Sequence, residues 1–252
     1  MDALLNFDTK VVLITGAAQG LGKLLAEELA KRGAKLVISD INEQGINDVA
    51  NTLSSAGFDV IGQVCNVADS EQCKSLVDLA ITTYGRLDIA VNNAGIAPAF
   101  APLHLTDEAT MDKQFSVNVK GVQFGMRHQI QQMLNQDGGV ILNVSSMAGL
   151  GGAPTIASYA AAKHAVIGLT KTGAIEYARN NIRVNAICPF FTLTPMVTTV
   201  SDDESRKNLA RGCPMKRLAQ PHEIVNAMVL MLSPGNSYMN GQCIAIDGGV
   251  SA

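Results

Sequence analysis

The sequence predicts an α/β fold: one doubly wound parallel sheet of about seven strands with helices on both faces, formed by residues 1–252 as a single domain. Three observations carry this expectation. Short β-branched runs alternate with helix-period segments from end to end, the pattern of parallel strands joined by crossover helices. The strand runs are nearly all apolar rather than alternating, which suits a sheet buried on both faces. A glycine cluster also follows directly on the first strand, at the turn where such folds take a phosphate.

The elements follow in order. Val11–Thr15 is a compact apolar strand, and the amphipathic stretch Leu21–Lys31 comes after it. Gly33 closes that helix, because glycine takes the left-handed backbone of a C-terminal cap. Leu36–Asp40 leads into Glu43–Ser55, closed by Gly57; Val60–Val64 leads into Ser70–Tyr84, for which Asp69-Ser70 supplies a cap. Ile89–Asn92 precedes a long helical stretch, Asp107–Leu134, and Val140–Val144 precedes Ser158–Ala178. Arg183–Ile187 is the sixth strand. Pro221 opens the helix Pro221–Leu232, and Cys243–Ile246 is the seventh strand. Residues Pro189–Gln220 show no clear element, and a loop of that length in a compact domain is expected to cover a site.

Composition bounds the function. Apolar residues make up 47% of the 252 and charged residues 16%, enough for a large core and far from a disordered composition. There is no tryptophan, so the core is aliphatic, and 23 glycines point to small-residue packing. A net charge of −3 with no basic stripe argues against nucleic acid. The five cysteines, Cys65, Cys73, Cys188, Cys213 and Cys243, have neither C-x-x-C spacing nor histidine partners for a metal. They read as reduced thiols of a soluble, cytoplasmic protein. The opening MDALLNFDTK is no signal peptide, and no run of 18 apolar residues exists to span a membrane.

The glycine cluster is Thr15-Gly16-Ala17-Ala18-Gln19-Gly20-Leu21-Gly22. Glycine there lets the backbone approach a pyrophosphate, and the following helix offers unpaired N–H groups to the anion. Its G-x-x-x-G-x-G spacing departs from the general dinucleotide fingerprint, and a tight turn alone would also use glycine. Asp40 adds weight. It ends the second strand about 20 residues on, where an acid bonds an adenosine ribose and repels a 2′-phosphate. Ile41 and Asn42 offer no cation for such a phosphate, so NAD is favoured over NADP; the plainer role for Asp40 is a cap beside the next helix.

Ser146, Tyr159 and Lys163 suggest acid–base chemistry on an alcohol or carbonyl. Tyr159 and Lys163 are four apart, on one face of a helix. An ammonium beside a phenol favours the phenolate, so the tyrosine pKa is expected to fall below its usual value of about 10. Work near neutral pH needs a drop of roughly 2–3 units. A Tyr-x-x-x-Lys pair is also common on ordinary helix surfaces, so the pair alone assigns no chemistry.

These motifs, with Asn92-Asn93-Ala94-Gly95, Asn118 in NVKG and Asp247-Gly248-Gly249, occur in the order seen in the short-chain dehydrogenase/reductase family, which the chain resembles over essentially its whole length. The resemblance implies a Rossmann-like domain and an NAD-dependent oxidoreductase that interconverts a secondary alcohol and a ketone. Tyr159 would then be the general acid/base, Ser146 would orient the substrate oxygen, and Lys163 would hold the nicotinamide ribose. Asn118 would support a water that relays protons through Lys163. Gly16, Gln19, Gly20, Leu21, Gly22, Asp40 and Ile41 would bind the cofactor. Asn66 and Val67 would lie beside the adenine, and Asn93, Ala94 and Gly95 would line the cleft. Thr194 would hold the carboxamide, with Pro189 and Thr192 nearby.

Two departures stand out: Phe190 follows Pro189 where the family usually has glycine, and Asn66 replaces a common aspartate. Ser146, Leu150, Phe190, Phe191 and Met196 are expected to line a substrate pocket whose apolar character suits a lipophilic secondary alcohol or ketone. A 3-oxoacyl-carrier-protein reductase is one alternative, and a redox-inactive NAD-sensing protein is a second. Members of the family are commonly homotetramers packed through the Asp107–Leu134 and Ser158–Ala178 helices, so the same assembly is expected here.

Overall fold

A computed structural model describes residues 3–199 and 201–252. Its centre is a seven-stranded sheet in the order β3-β2-β1-β4-β5-β6-β7. The strands are β1 (Val11–Thr15), β2 (Lys35–Asp40), β3 (Val60–Val64), β4 (Ile89–Asn92), β5 (Gly139–Val144), β6 (Ile182–Pro189) and β7 (Cys243–Ile246). Every neighbouring pair is parallel. The chain runs outward from β1 to β3, returns, and runs outward the other way from β4. The order therefore reverses between β1 and β4, which opens a crevice at their C-terminal ends.

The ten helical segments among the described residues that build this site are α1 (Gly20–Lys31), α2 (Glu43–Ser55), α3 (Ser70–Tyr84), α4 (Glu108–Phe115), a π-helical turn (Ser116–Lys120), α5 (Gly121–Leu134), α6 (Ala157–Tyr177), α7 (Pro195–Thr198), α8 (Asp203–Arg211) and α9 (Pro221–Leu232). Alternation along the strands divides the core in two. Val12 and Ile14 of β1 face one cluster with Leu25 and Leu29 of α1, Ile46 of α2 and Val225 of α9. Val11 and Leu13 face the other, with Leu76 of α3, Met126 of α5 and Val166 of α6. Strands that are apolar at every position thus serve two cores, as expected for a sheet covered on both sides.

Local chemistry sets the helix ends. Asp69 caps α3 by accepting from Glu71 N and Gln72 N, and Gly85 closes it at φ 81°. The Asn42 side chain caps α2 and the Asp107 side chain caps α4. Pro221 opens α9, where the Glu223 carboxylate accepts from Gln220 N at 2.7 Å.

Two expectations need correction. The stretch Asp107–Leu134 is not one regular helix, because the π-helical turn interrupts it. The region 189–220 is not bare loop: it carries α7 and α8. The sequence of α8, DESRKNLAR, has no apolar stripe from which a helix could be read. Its cue is local, the Asp202 side chain accepting from Ser205 N with acids in the first turn. No helix among the described residues is long and apolar enough to cross a membrane.

A buried polar chain ties the sheet to the helices over its second face. Asn92 of β4 donates to Asn143 of β5 at 2.9 Å and exchanges bonds with Gln129 of α5. Asn143 donates to Thr170 of α6 at 2.9 Å. All four side chains are buried, so removing one member strands the others without water. Asn143→Ala should therefore lower unfolding free energy by about 2–4 kcal/mol, measured by urea denaturation. Lys74→Ala, which breaks an exposed α3 ion pair with Asp78, should leave the melting midpoint unmoved.

Candidate active site

The crevice between β1 and β4 is closed at its base by a clasp. The Thr15 hydroxyl accepts from Asn93 N and Ala94 N, each at 3.1 Å. The Asn93 side chain donates back to Thr15 O and Gly16 O, each at 2.9 Å. This contact leaves no room for a side chain at Gly16 or Gly22. A Cβ on Gly16 would stand 2.7 Å from Ala94 Cα, and one on Gly22 would stand 2.3 Å from Gly16 O. Gly16 and Gly20 also take positive φ, at 68° and 60°. Gly20 differs in kind: a Cβ there would stand 3.8 Å from both Thr194 and Pro195, an ordinary contact, so its positive φ rather than crowding calls for glycine, and the loop lies against the start of α7.

The residues around this loop fit a dinucleotide. Gln19 is the N-cap of α1 but makes no side-chain cap, which leaves the first-turn N–H groups to an outside anion. Asp40 accepts from Ala18 N and Asn42 N, both at 3.0 Å, so its carboxylate braces the glycine loop from the end of β2. Ile41 beside it is 68% exposed. Asn66 turns its amide oxygen onto Ala68 N at 3.1 Å. That oxygen keeps a second lone pair, and the amide nitrogen is a donor beside it. Val67 is buried under this turn, with its carbonyl accepting from the Cys73 thiol. Thr192 donates to Phe190 O at 2.9 Å, and Thr194 is the N-cap of α7, directly opposite Gly20.

Ser146, Tyr159 and Lys163 meet at the C-terminal end of β5. Ser146 is the N-cap of a short 3-10 turn, Met147–Gly149, and accepts from Ala148 N at 3.1 Å. That turn packs directly on α6: a Cβ on Gly149 would stand 2.7 Å from Lys163 O. Ser145 fastens the same place, its hydroxyl donating to Lys163 O at 2.9 Å. Tyr159 and Lys163 then follow from helical spacing, but Lys163 falls in the buried stripe of α6 and is only 4% exposed. Its ammonium donates to Val144 O at 2.8 Å and lies 5.5 Å from the centre of the Tyr159 ring.

Electrostatics here reverse one expectation. Burial pushes the Tyr159 phenol above its ordinary value, and the neighbouring Ser146 hydroxyl draws it back only in part. The same burial drives Lys163 down to about 8. The ammonium is spent on the Val144 carbonyl, and burial dominates the phenol. Without a bound cofactor the pair holds a neutral phenol. Cys188 of β6, buried nearby, is pushed up to about 12 by burial and stays a neutral thiol.

Asn118 lies fully buried in the π-helical turn. Its amide donates to Ile96 O at 2.9 Å and to Gln114 at 2.7 Å, while its oxygen accepts from Ile96 N at 2.9 Å. A Cβ on Gly95 would stand 2.9 Å from that oxygen and 3.5 Å from Lys163 Nζ. Glycine at position 95 therefore lets Asn118 and Lys163 share one surface. Gln114 was not a sequence candidate, since a glutamine near a helix end carries no motif. Thr155 was missed as well. It takes φ 65°, rare for a β-branched residue, and its carbonyl accepts from Ala101 N at 2.8 Å. It thereby joins the segment after β4 to the segment between Ser146 and α6.

The expected substrate residues lie on three segments. Leu150 ends the turn after Ser146, and Met196 lies on α7; both are exposed. Phe190 and Phe191 pack edge to face, 4.9 Å apart, and line a cavity of about 90 Å³ with Cys213, Met215 and Ile246. Ser146, Leu150, Tyr159 and Met196 do not line that cavity. The bond from Phe190 N to Ile246 O carries the β6–β7 pairing one residue further and draws this segment toward the sheet edge.

Residues 16–251 match a family model described as enoyl-(acyl carrier protein) reductase. Cis-4-hydroxycyclohexanecarboxylate dehydrogenase of Sinomonas cyclohexanicum is 39% identical, over 98% of this chain and 98% of its own. Cyclohexanol dehydrogenase of Acinetobacter sp. (strain SE19) is 35% identical, over 96% of this chain and 95% of its own. The structure of 3-ketoacyl-(acyl-carrier-protein) reductase from Brucella melitensis, complexed with NADH, is similar with a TM-score of 0.91 at 34% identity, covering 98% of this chain and 100% of that one. A short-chain type dehydrogenase/reductase from Mycobacterium marinum gives 0.93 at 29% identity, covering 99% and 98%.

The depressed Lys163 pKa has a thermodynamic consequence. Between about 8 and the ordinary lysine value of about 10.4, the unfolded chain holds a proton that the native protein lacks, so native stability rises with pH across that window. At neutral pH the buried charge costs roughly 3 kcal/mol. Unloaded Lys163→Met should therefore be more stable than the parent at pH 7, with the difference closing toward pH 10. Urea denaturation at the two pH values checks this, and a gap independent of pH would assign the cost to something other than the charge.

Proposed function

The chain belongs to the short-chain dehydrogenase/reductase family of oxidoreductases, and on that premise we propose that it interconverts a lipophilic secondary alcohol and a ketone with NAD as its preferred cofactor. The observation that carries the reading is the convergence of Ser146, Tyr159 and Lys163 at the C-terminal end of β5, in a sheet whose first strand ends in the glycine loop. A nicotinamide cofactor, its carboxamide held by Thr194, would supply the hydride acceptor or donor. Gly16, Gln19, Gly20, Leu21 and Gly22 hold the pyrophosphate, and Asp40 and Ile41 flank the adenosine ribose. Asn66, Val67, Asn93, Ala94 and Gly95 line the remainder, with Pro189, Thr192 and Thr194 at the nicotinamide end.

Tyr159 Oη takes the alcohol proton during oxidation and returns it during reduction. Ser146 Oγ donates to the substrate oxygen and holds it against the phenol. Lys163 Nζ keeps one donor on Val144 O and has two left, one for a ribose hydroxyl and one to pass protons outward. With its side chain engaged by Ile96 and Gln114, Asn118 contributes to that exit through its main-chain carbonyl. Because burial holds Tyr159 neutral in the unloaded protein, phenolate formation is tied to cofactor loading.

The two cyclohexane-ring dehydrogenases among the relatives support an alicyclic alcohol as substrate. The carrier-protein reductase relative supports a second reading, reduction of a 3-oxoacyl thioester. A cofactor sensor without catalysis would not need the complete trio. The family's homotetramer and a cytoplasmic setting belong to the same proposal. Ile175 of α6, 82% exposed, is consistent with a covered helix face, and light scattering tests the assembly.

A panel of cyclic and linear secondary alcohols, run with NAD and NADP side by side, decides between these readings. Cyclic alcohols should give NADH. Preference for a 3-oxoacyl carrier thioester would move the assignment to the second reading. Tyr159→Phe should lower kcat by about 10²–10⁴-fold with NAD binding nearly unchanged. Asp40→Ala should narrow the NAD-over-NADP preference by about tenfold or more, and an unaltered ratio would remove Asp40 from cofactor choice.

A further inference from the structure

Gln114 is 2% exposed in the last turn of α4, one helical turn before Asn118. A buried primary amide is costly unless it is bonded, and its carbonyl oxygen here accepts from Asn118 Nδ2 at 2.7 Å. The other Nδ2 proton goes to Ile96 O, and Asn118 Oδ1 accepts from Ile96 N. Asn118 is therefore gripped from two sides, by the segment after β4 and by α4. It is also in a π-helical turn, where the extra residue breaks the regular ladder of main-chain bonds. Such a turn needs outside support to hold one register. The Asn118 side-chain oxygen and Lys163 Nζ both border Gly95, where a Cβ would stand 2.9 Å from the one and 3.5 Å from the other.

We propose that Gln114 is a positioning residue for proton transfer: by holding the second Nδ2 proton of Asn118, it locks the π-helical turn against Gly95-Ile96 and so fixes the Asn118 main-chain carbonyl assigned above to the proton exit. The inference rests on the oxidoreductase reading above. A glutamine that only filled space would be replaced by leucine at little cost, because an apolar isostere buries no polar group. A glutamine that satisfies Asn118 would not, since leucine leaves a buried donor unpaired.

The test uses Gln114→Leu, Gln114→Glu, Asn118→Ala and the double variant Gln114→Leu/Asn118→Ala. Gln114→Leu should lower kcat by about ten- to a hundredfold with the KM for NAD nearly unchanged, and should raise the solvent deuterium isotope effect on kcat. Gln114→Glu keeps an acceptor oxygen and should restore most of the rate. In the Asn118→Ala background, Gln114→Leu should add no further loss, since both changes remove one coupled contact. In the unloaded protein, NMR should show the Asn118 side-chain amide protons exchanging faster in Gln114→Leu than in the parent. Should Gln114→Leu fail to fold, Gln114→Met carries the same comparisons. An unchanged kcat, an equal loss in both backgrounds, or unaltered amide exchange overturns the inference alone. Absence of turnover by the parent with every alcohol overturns the oxidoreductase reading and this one with it.

Discussion

The clasp between Thr15 and Asn93 is the contact on which the remaining geometry depends. It joins the C-terminal ends of β1 and β4, the one place where the sheet changes direction, with four hydrogen bonds between two adjacent turns. Its closeness explains the glycines. Gly16 and Gly22 lie where a Cβ would meet Ala94, Asn93 or the loop's own carbonyl. With the loop pressed into the switch point, α1 starts with its N–H groups aimed over the crevice. Asp40 then reaches Ala18 from β2, and Gly95 follows Asn93 within reach of Asn118 and Lys163.

The acid–base group is assembled at an energetic cost that the surrounding fold offsets. Lys163 occupies a position in α6 that the helical period would give to an apolar residue, and desolvation lowers its pKa accordingly. The site tolerates it because Val144 O accepts one proton and because Ser145 and Gly149 hold that turn of α6 tightly against β5. The buried chain from Asn92 through Asn143 to Thr170 anchors the same helix further along. Polar groups that weaken the core locally thus also fix where the reacting side chains stand.

Much of this was legible in the chain. Strands such as Val11–Thr15 and Val60–Val64 were readable because β-branched runs between turn residues have few alternatives, and parallel pairing followed from alternation with helices. Tyr159 and Lys163 could be paired because i,i+4 spacing has one meaning on a helix. The helix α8 escaped because its apolar face is too small to show a period. The π-helical turn escaped because one inserted residue leaves no compositional mark. Gln114 had no local signal of its role, which exists only where α4 passes Asn118.

The sequence by itself determined the order of strands and helices, the glycine loop, and which side chains can move a proton, since these rest on local spacing and on the chemistry of each residue type. Only the tertiary structure decided how those groups behave. The tyrosine–lysine pair, expected to lower the phenol's pKa, instead holds the proton on the phenol, because burial acts on both groups and depends on every element packed around them. Likewise the packing of Phe190 and Phe191 against Ile246 follows from a main-chain bond between the end of β6 and β7, which no local pattern carries. Desolvation and long-range hydrogen bonding are properties of the packed molecule, and no segment of the chain carries them alone.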